Sequence, residues 1–79
     1  MKVRVTIRRR AQISDPQGTA VGKGLRDLGY DVSSVRIDRN VLLDVEGTDA
    51  DSVTKSVTEM CDRLLANPVM EDYEIEILP

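Results

Sequence analysis

The sequence predicts an α+β domain, and three patterns carry that prediction. Apolar and polar residues alternate at both ends of the chain, through Val3, Val5 and Ile7 and through Tyr73, Ile75 and Ile77. A middle region splits into two such runs, Val32-Val35-Ile37 and Val41-Leu43-Val45, around Asp38-Arg39-Asn40. Between these lie two stretches whose apolar residues recur at helical spacing. The order is strand, helix, strand, strand, helix, strand. Two βαβ halves of similar length predict a single domain over 1–79 with a ferredoxin-like βαββαβ fold: a four-stranded antiparallel sheet with both helices on one face.

In the first strand the period of two places Val3, Val5 and Ile7 on one face and Arg4, Thr6 and Arg8 on the other. Asp15-Pro16 then reads as a helix start, an N-cap acceptor followed by proline where a missing N–H costs nothing. Val21, Leu25 and Leu28 continue that helix, and Gly29 stands where a left-handed residue ends it. Gly18, Gly22 and Gly24 inside it predict close helix-to-sheet contact. The middle runs predict a hairpin turning at Asp38-Arg39-Asn40, where Asn40 tolerates positive φ.

The second helix carries Val53, Val57, Met60, Cys61, Leu64 and Leu65 on one face. Thr48 is the expected cap, Asp49 and Asp51 suit the positive end of the helix dipole, and Asn67-Pro68 is the expected stop. Outward Glu74 and Glu76 of the last strand are expected to face Arg4 and Arg8 as cross-strand pairs, because first and last strands are neighbours in this topology.

With 79 residues the chain has room for one hydrophobic core and should gain from oligomerisation. A composition of 41% hydrophobic and 32% charged residues is that of a folded domain, and a formal charge of −3 gives no general attraction to nucleic acid or anionic membrane. Five basic residues fall in the first ten, yet the chain has no Phe, no Trp and only two Tyr for base stacking, so nucleic acid is not an expected partner. A lone cysteine, no signal-peptide pattern and only short apolar runs predict a cytoplasmic protein that does not enter the membrane.

Catalytic groups are not expected in this chain. It has no histidine, the commonest general base and transition-metal ligand. Cys61 sits on the apolar face of the second helix as a core thiol, and the glycines at 18–24 lack the Gly-Lys-Ser/Thr ending of a phosphate loop. Asp49 with Asp51, and Glu71 with Asp72, are explained by capping and exposure. No metal and no cofactor are expected to bind.

Two stretches are more particular than any pattern: Asp15-Pro16-Gln17-Gly18 with Ala20-Val21 and Leu28-Gly29-Tyr30, and Cys61 through Tyr73. With Val35-Arg36-Ile37 they resemble the small S subunit of phosphoribosylformylglycinamidine synthase, over essentially the whole chain. Leu64-Leu65-Ala66-Asn67-Pro68-Val69 followed by Glu71-Asp72-Tyr73 looks like that family's C-terminal signature. Asp38-Arg39 stands where the family commonly has Gly-Lys, and Gln12 where a glycine often precedes the Asp-Pro motif. The resemblance implies a homodimeric, non-catalytic assembly subunit in purine biosynthesis. It would bridge a glutaminase subunit and a large synthetase subunit and aid ammonia transfer, within a complex that uses ATP and Mg.

Under that resemblance Gln17, Arg36 and Asp72 are the candidate partner-contact residues, because the strand and helix patterns do not require polarity there. The alternative on the same fold is an ACT-like module that senses a small molecule or serves only for pairing.

Overall fold

The computed structural model describes residues 1–11 and 13–79, so the departure at Gln12 lies outside the described residues. Its elements are β1 (Lys2–Arg9), α1 (Pro16–Asp27), β2 (Arg39–Asp44), α2 (Ala50–Met60) with a π-helical turn over Cys61–Leu65, and β3 (Glu71–Ile77). The sheet has three strands in the order β2-β1-β3, all antiparallel. The α+β class and the neighbouring of first and last strands are as expected; the fourth strand is not there among the described residues.

Pairing on both sides places Val3 between Leu43 and Ile77, Val5 between Val41 and Ile75, and Ile7 between Arg39 and Tyr73. One sheet face is therefore apolar in successive layers, and α2 lies over it with Val53, Val57 and Cys61 buried. The other face carries the expected charge ladder. Arg4 bonds Glu76 directly opposite at 2.9 Å, Arg8 reaches diagonally to Glu74 at 3.2 Å, and Lys2 pairs with Asp44 at 3.3 Å. These exposed pairs contribute only a few tenths of a kcal/mol each, about what surface bridges give, so they set register more than stability.

Two expectations for α2 change. Asp49, not Thr48, is the N-cap: its carboxylate accepts from the Ser52 amide at 3.3 Å and hydroxyl at 2.6 Å. Met60 and Leu64 leave the buried face, with Leu64 84% exposed. For Leu64 the reason is the π turn, closed by the Ala66 amide donating to the Cys61 carbonyl at 3.0 Å. Each residue there advances by less than the roughly 100° of an α-helix, which swings Leu65 toward the core and Leu64 out of it. Ala66 is already extended, so the helix stops just ahead of Asn67-Pro68.

The four-stranded ferredoxin-like arrangement is corrected at residues 31–38. This stretch has no regular secondary structure, bends at Ser33 and pairs with no strand, and α1 does not cover the sheet beside α2. Val35 packs instead on α1: a Cβ at Gly18 would lie 2.6 Å from the Val35 carbonyl oxygen, and one at Gly22 would lie 3.4 Å from its Cγ2. The glycines thus serve a close contact with the following segment rather than with the sheet, while Gly24 faces open space. The predicted hairpin is absent: neither Arg39 nor Asn40 takes a positive φ, and both enter β2 opposite Ile7 and Thr6. The α1 helix and residues 31–38 form an arm beside the sheet. The chain measures 49 × 28 × 14 Å, and its 15.8 Å radius of gyration exceeds the roughly 12 Å of a compact chain this long.

Ile7→Ala, at the centre of the core, is expected to lower unfolding free energy by about 2–5 kcal/mol, whereas Leu64→Ala should stay within about 0.5 kcal/mol. Urea unfolding followed by circular dichroism distinguishes them. In the same assay Gly18→Ala should destabilise through collision with the Val35 carbonyl, and Gly24→Ala should stabilise by about 0.5–1 kcal/mol through helix propensity.

Candidate functional site

The arm joins the sheet through a junction built from long-range polar contacts. Asp15 is its pivot. One carboxylate oxygen accepts from the Gly18 amide at 3.0 Å, capping α1, and the other accepts from the Ile37 amide at 3.0 Å, which ties the end of the 31–38 segment to the start of the helix. These two backbone hydrogen bonds, helped by the nearby Arg9 and Arg36 charges, hold the Asp15 carboxyl below the usual carboxylate range. A shallow cleft opens beside it, lined by Ile7, Arg9, Pro16, Gln17, Arg39 and Glu71.

On the far side of the cleft, Glu71 accepts from the Asn67 amide at 2.8 Å and from Arg39 at 3.0 Å, and its side chain is only 16% exposed. Arg39 also donates to the Leu65 carbonyl at 3.3 Å, while Arg10 donates to the Pro68 carbonyl at 2.7 Å and pairs with Asp72 at 3.2 Å. Two arginines, one just after β1 and one at the start of β2, thus pin the segment over residues 65–68 from both ends. The loop over residues 66–70 presents Val69, 75% exposed, and the preceding turn presents Leu64. Glu71 is corrected from an exposed carboxylate to the acceptor at the centre of this network.

The three candidate contact residues surround the junction. Gln17 is exposed in the first turn of α1 and lines the cleft. Arg36 donates from its guanidinium to the Arg9 carbonyl and lies 3.9 Å from Asp38, so it secures the arm as well as marking its surface. Asp72 is held by Arg10 at the start of β3. Sequence reasoning missed Arg10, Arg39 and Glu71, whose partners are tens of residues away and leave no local spacing to read.

The carboxylates of the junction are engaged by backbone amides and arginines, and Cys61 is fully buried, with burial pushing its thiol pKa up. Tyr73 donates its hydroxyl to Asp62 at 2.8 Å, a bond that stitches β3 to the π turn. No helix among the described residues is long and apolar enough to cross a membrane.

Asp15 generates an acid-sensitivity prediction. Its folded carboxyl releases a proton more readily than the unfolded one, so its stabilisation is complete above the unfolded value of about 3.9 and fades as pH falls below that. Asp15→Asn keeps a cap acceptor for Gly18 but puts an NH₂ or a single shared oxygen before Ile37. Its melting temperature should fall at pH 7, with a shallower loss between pH 4 and pH 2 than the parent chain shows, whereas Asp15→Ala should fall further, by roughly 4–8 °C at pH 7. Thermal melts across that pH range measure both.

A family model described as PurS, phosphoribosylformylglycinamidine (FGAM) synthase, matches residues 2–79. The PurS subunit of phosphoribosylformylglycinamidine synthase from Synechocystis is 45% identical over 75 residues, covering 94% of this chain and 75% of that one. Its Bacillus subtilis counterpart is 42% identical over 77 residues, covering 96% and 90%. Among solved structures, PurS of Methanocaldococcus jannaschii, described as a subunit of formylglycinamide ribonucleotide amidotransferase in the purine biosynthetic pathway, superposes with a TM-score of 0.88 at 34% identity, covering 95% and 92%. A chain of the PurLQS structure from Thermotoga maritima gives 0.89 at 31% identity, covering 98% and 95%. The sequence match across nearly every residue, together with the shared fold, places this chain in the PurS family of phosphoribosylformylglycinamidine synthase subunits.

Proposed function

We propose that this chain is the non-catalytic assembly subunit of a phosphoribosylformylglycinamidine synthase, bridging a glutaminase subunit and a large ATP-dependent synthetase subunit during purine biosynthesis. The observation that carries the reading is the similarity, along 98% of this chain, to a chain of the Thermotoga maritima PurLQS structure. The reaction converts formylglycinamide ribonucleotide, ATP and glutamine into the amidine, ADP, phosphate and glutamate, and it is cytoplasmic in this reading. Ammonia released at one active site is diluted and protonated in bulk water unless the second site is held in register with it. A subunit that sets this register accelerates the overall reaction without touching a reacting atom.

In this reading the chain works as a homodimer, and ATP and Mg are bound by the other subunits. In the cleft Asp15 is engaged by backbone amides and Glu71 by Arg39 and the Asn67 amide. The chain's partner-facing role is supported by the apolar side chains it leaves in solvent, including Leu28, Tyr30, Leu64 and Val69. Gln17, Arg36 and Asp72 are the polar contacts of that surface.

Adding the chain to the purified glutaminase and synthetase subunits is expected to raise glutamine-dependent amidine formation while leaving ammonia-dependent formation little changed. Equal glutamine-dependent rates with and without it would sink the proposal.

A further inference from the structure

The outer edge of β3 is a row of backbone groups left open. The Leu78 amide donates to the Lys2 carbonyl at 2.8 Å and the Arg10 amide to the Met70 carbonyl at 3.0 Å, so in this register the even-numbered residues of β3 face β1. The odd-numbered residues point the other way. Glu71 turns its amide to the Asn67 carbonyl at 2.8 Å, whereas the amides and carbonyls of Tyr73, Ile75 and Ile77 have no hydrogen-bond partner among the described residues. The 7 residues of β3 run in unbroken register with no bulge, proline or lysine, the devices that commonly keep an edge strand solitary.

The side chains along this edge state what would fit it. On the polar face Asp72, Glu74 and Glu76 stand in a row, and each gives one carboxylate oxygen to an arginine on the β1 side: Asp72 to Arg10 at 3.2 Å, Glu74 to Arg8 at 3.2 Å and Glu76 to Arg4 at 2.9 Å. The second oxygen of each meets no donor among the described residues. On the opposite face Tyr73, Ile75 and Ile77 pack against the core and are only partly buried. A strand laid beyond β3 therefore meets backbone partners at every second residue, carboxylate oxygens on one face and an unfinished apolar layer on the other.

We infer that the outer edge of β3 takes one extended strand of another protein, in which Lys or Arg alternates with apolar residues. Main-chain hydrogen bonds to Tyr73, Ile75 and Ile77 hold the strand, and its basic side chains, set against Asp72, Glu74 and Glu76, select it. The two open sheet edges of a second copy do not have this character. One carries the same acids, and the other presents Asn40, Leu42 and Asp44 on the polar face, so either would bring carboxylates against carboxylates. The basic strand of the chain, β1, is already paired on both sides. The inference rests on the assembly role proposed above and specifies an edge by which a partner subunit is held.

The test is residue-resolved hydrogen exchange of the full chain, alone and assembled with the purified glutaminase and synthetase subunits. The amides of Tyr73, Ile75 and Ile77 are expected to exchange about tenfold more slowly or better in the assembly, while those of Glu74 and Glu76, already bonded to β1, change little. Binding of the double variant E74Q/E76Q is measured alongside, with its fold checked by circular dichroism. It is expected to bind the other subunits about tenfold more weakly at low salt, a gap that closes as salt is raised. An assembly that forms with unchanged exchange at all three amides overturns the strand addition and leaves the assembly role standing. Protection at the three amides with equal binding by parent and E74Q/E76Q overturns the basic strand as the occupant. Failure of the three proteins to assemble overturns both the inference and the role on which it rests.

Discussion

Hydrogen bonding along both sides of β1 is the constraint on which the rest of this structure depends. Only a strand paired on each edge can bring Leu43 and Ile77 to flank Val3, and Val41 and Ile75 to flank Val5, so that a chain this small still buries a continuous apolar layer. The same pairing aligns Arg4 and Arg8 with the glutamates of β3 on the opposite face. It also forces the 29 residues between β1 and β2, Arg10 to Asp38, to leave the sheet and return to it, and that excursion is the arm.

The arm is held by few contacts, and they converge on Asp15. A carboxylate with two oxygens can cap a helix and bind a distant amide at once, which lets a single side chain orient both the start of α1 and the end of the 31–38 segment. Gly18 permits this by bringing the Val35 carbonyl against the helix where a methyl group would collide. An element anchored so locally, with its apolar side in solvent, has little to gain from its own chain and much from a neighbour. For a subunit whose work is to hold others in register, that is a physically reasonable place to spend exposed apolar surface.

The loop over 66–70 follows the opposite logic. Arg10 just after β1, Arg39 of β2 and Glu71 of β3 hydrogen-bond the backbone at both ends of this loop, so exposed Val69 sits on a well-anchored support, with exposed Leu64 on the turn before it. The π turn contributes directly, since a continuous α-helix would have turned Leu64 toward the sheet. Rigid presentation lowers the entropy lost when such side chains meet a partner surface.

Read alone, the sequence determined the α+β class, five of the six elements it predicts, the inward set of β1 and β3, the Asp15 and Gly29 helix boundaries and the family, because each is encoded by local periodicity, capping chemistry or short motifs. Tertiary structure decided what local patterns cannot hold. Residues 32–37 alternate well enough to be a strand, but a strand exists only where another backbone accepts its hydrogen bonds, and Asp38-Arg39-Asn40 supplies no turn to bring one back. Glu71 reads as an exposed acid beside Asp72 until Arg39 and the Asn67 amide meet it from elsewhere in the chain. Leu64 reads as core until one widened helical turn rotates it outward. In each case the deciding partner is far away in sequence, or is a backbone geometry that side-chain pattern does not record.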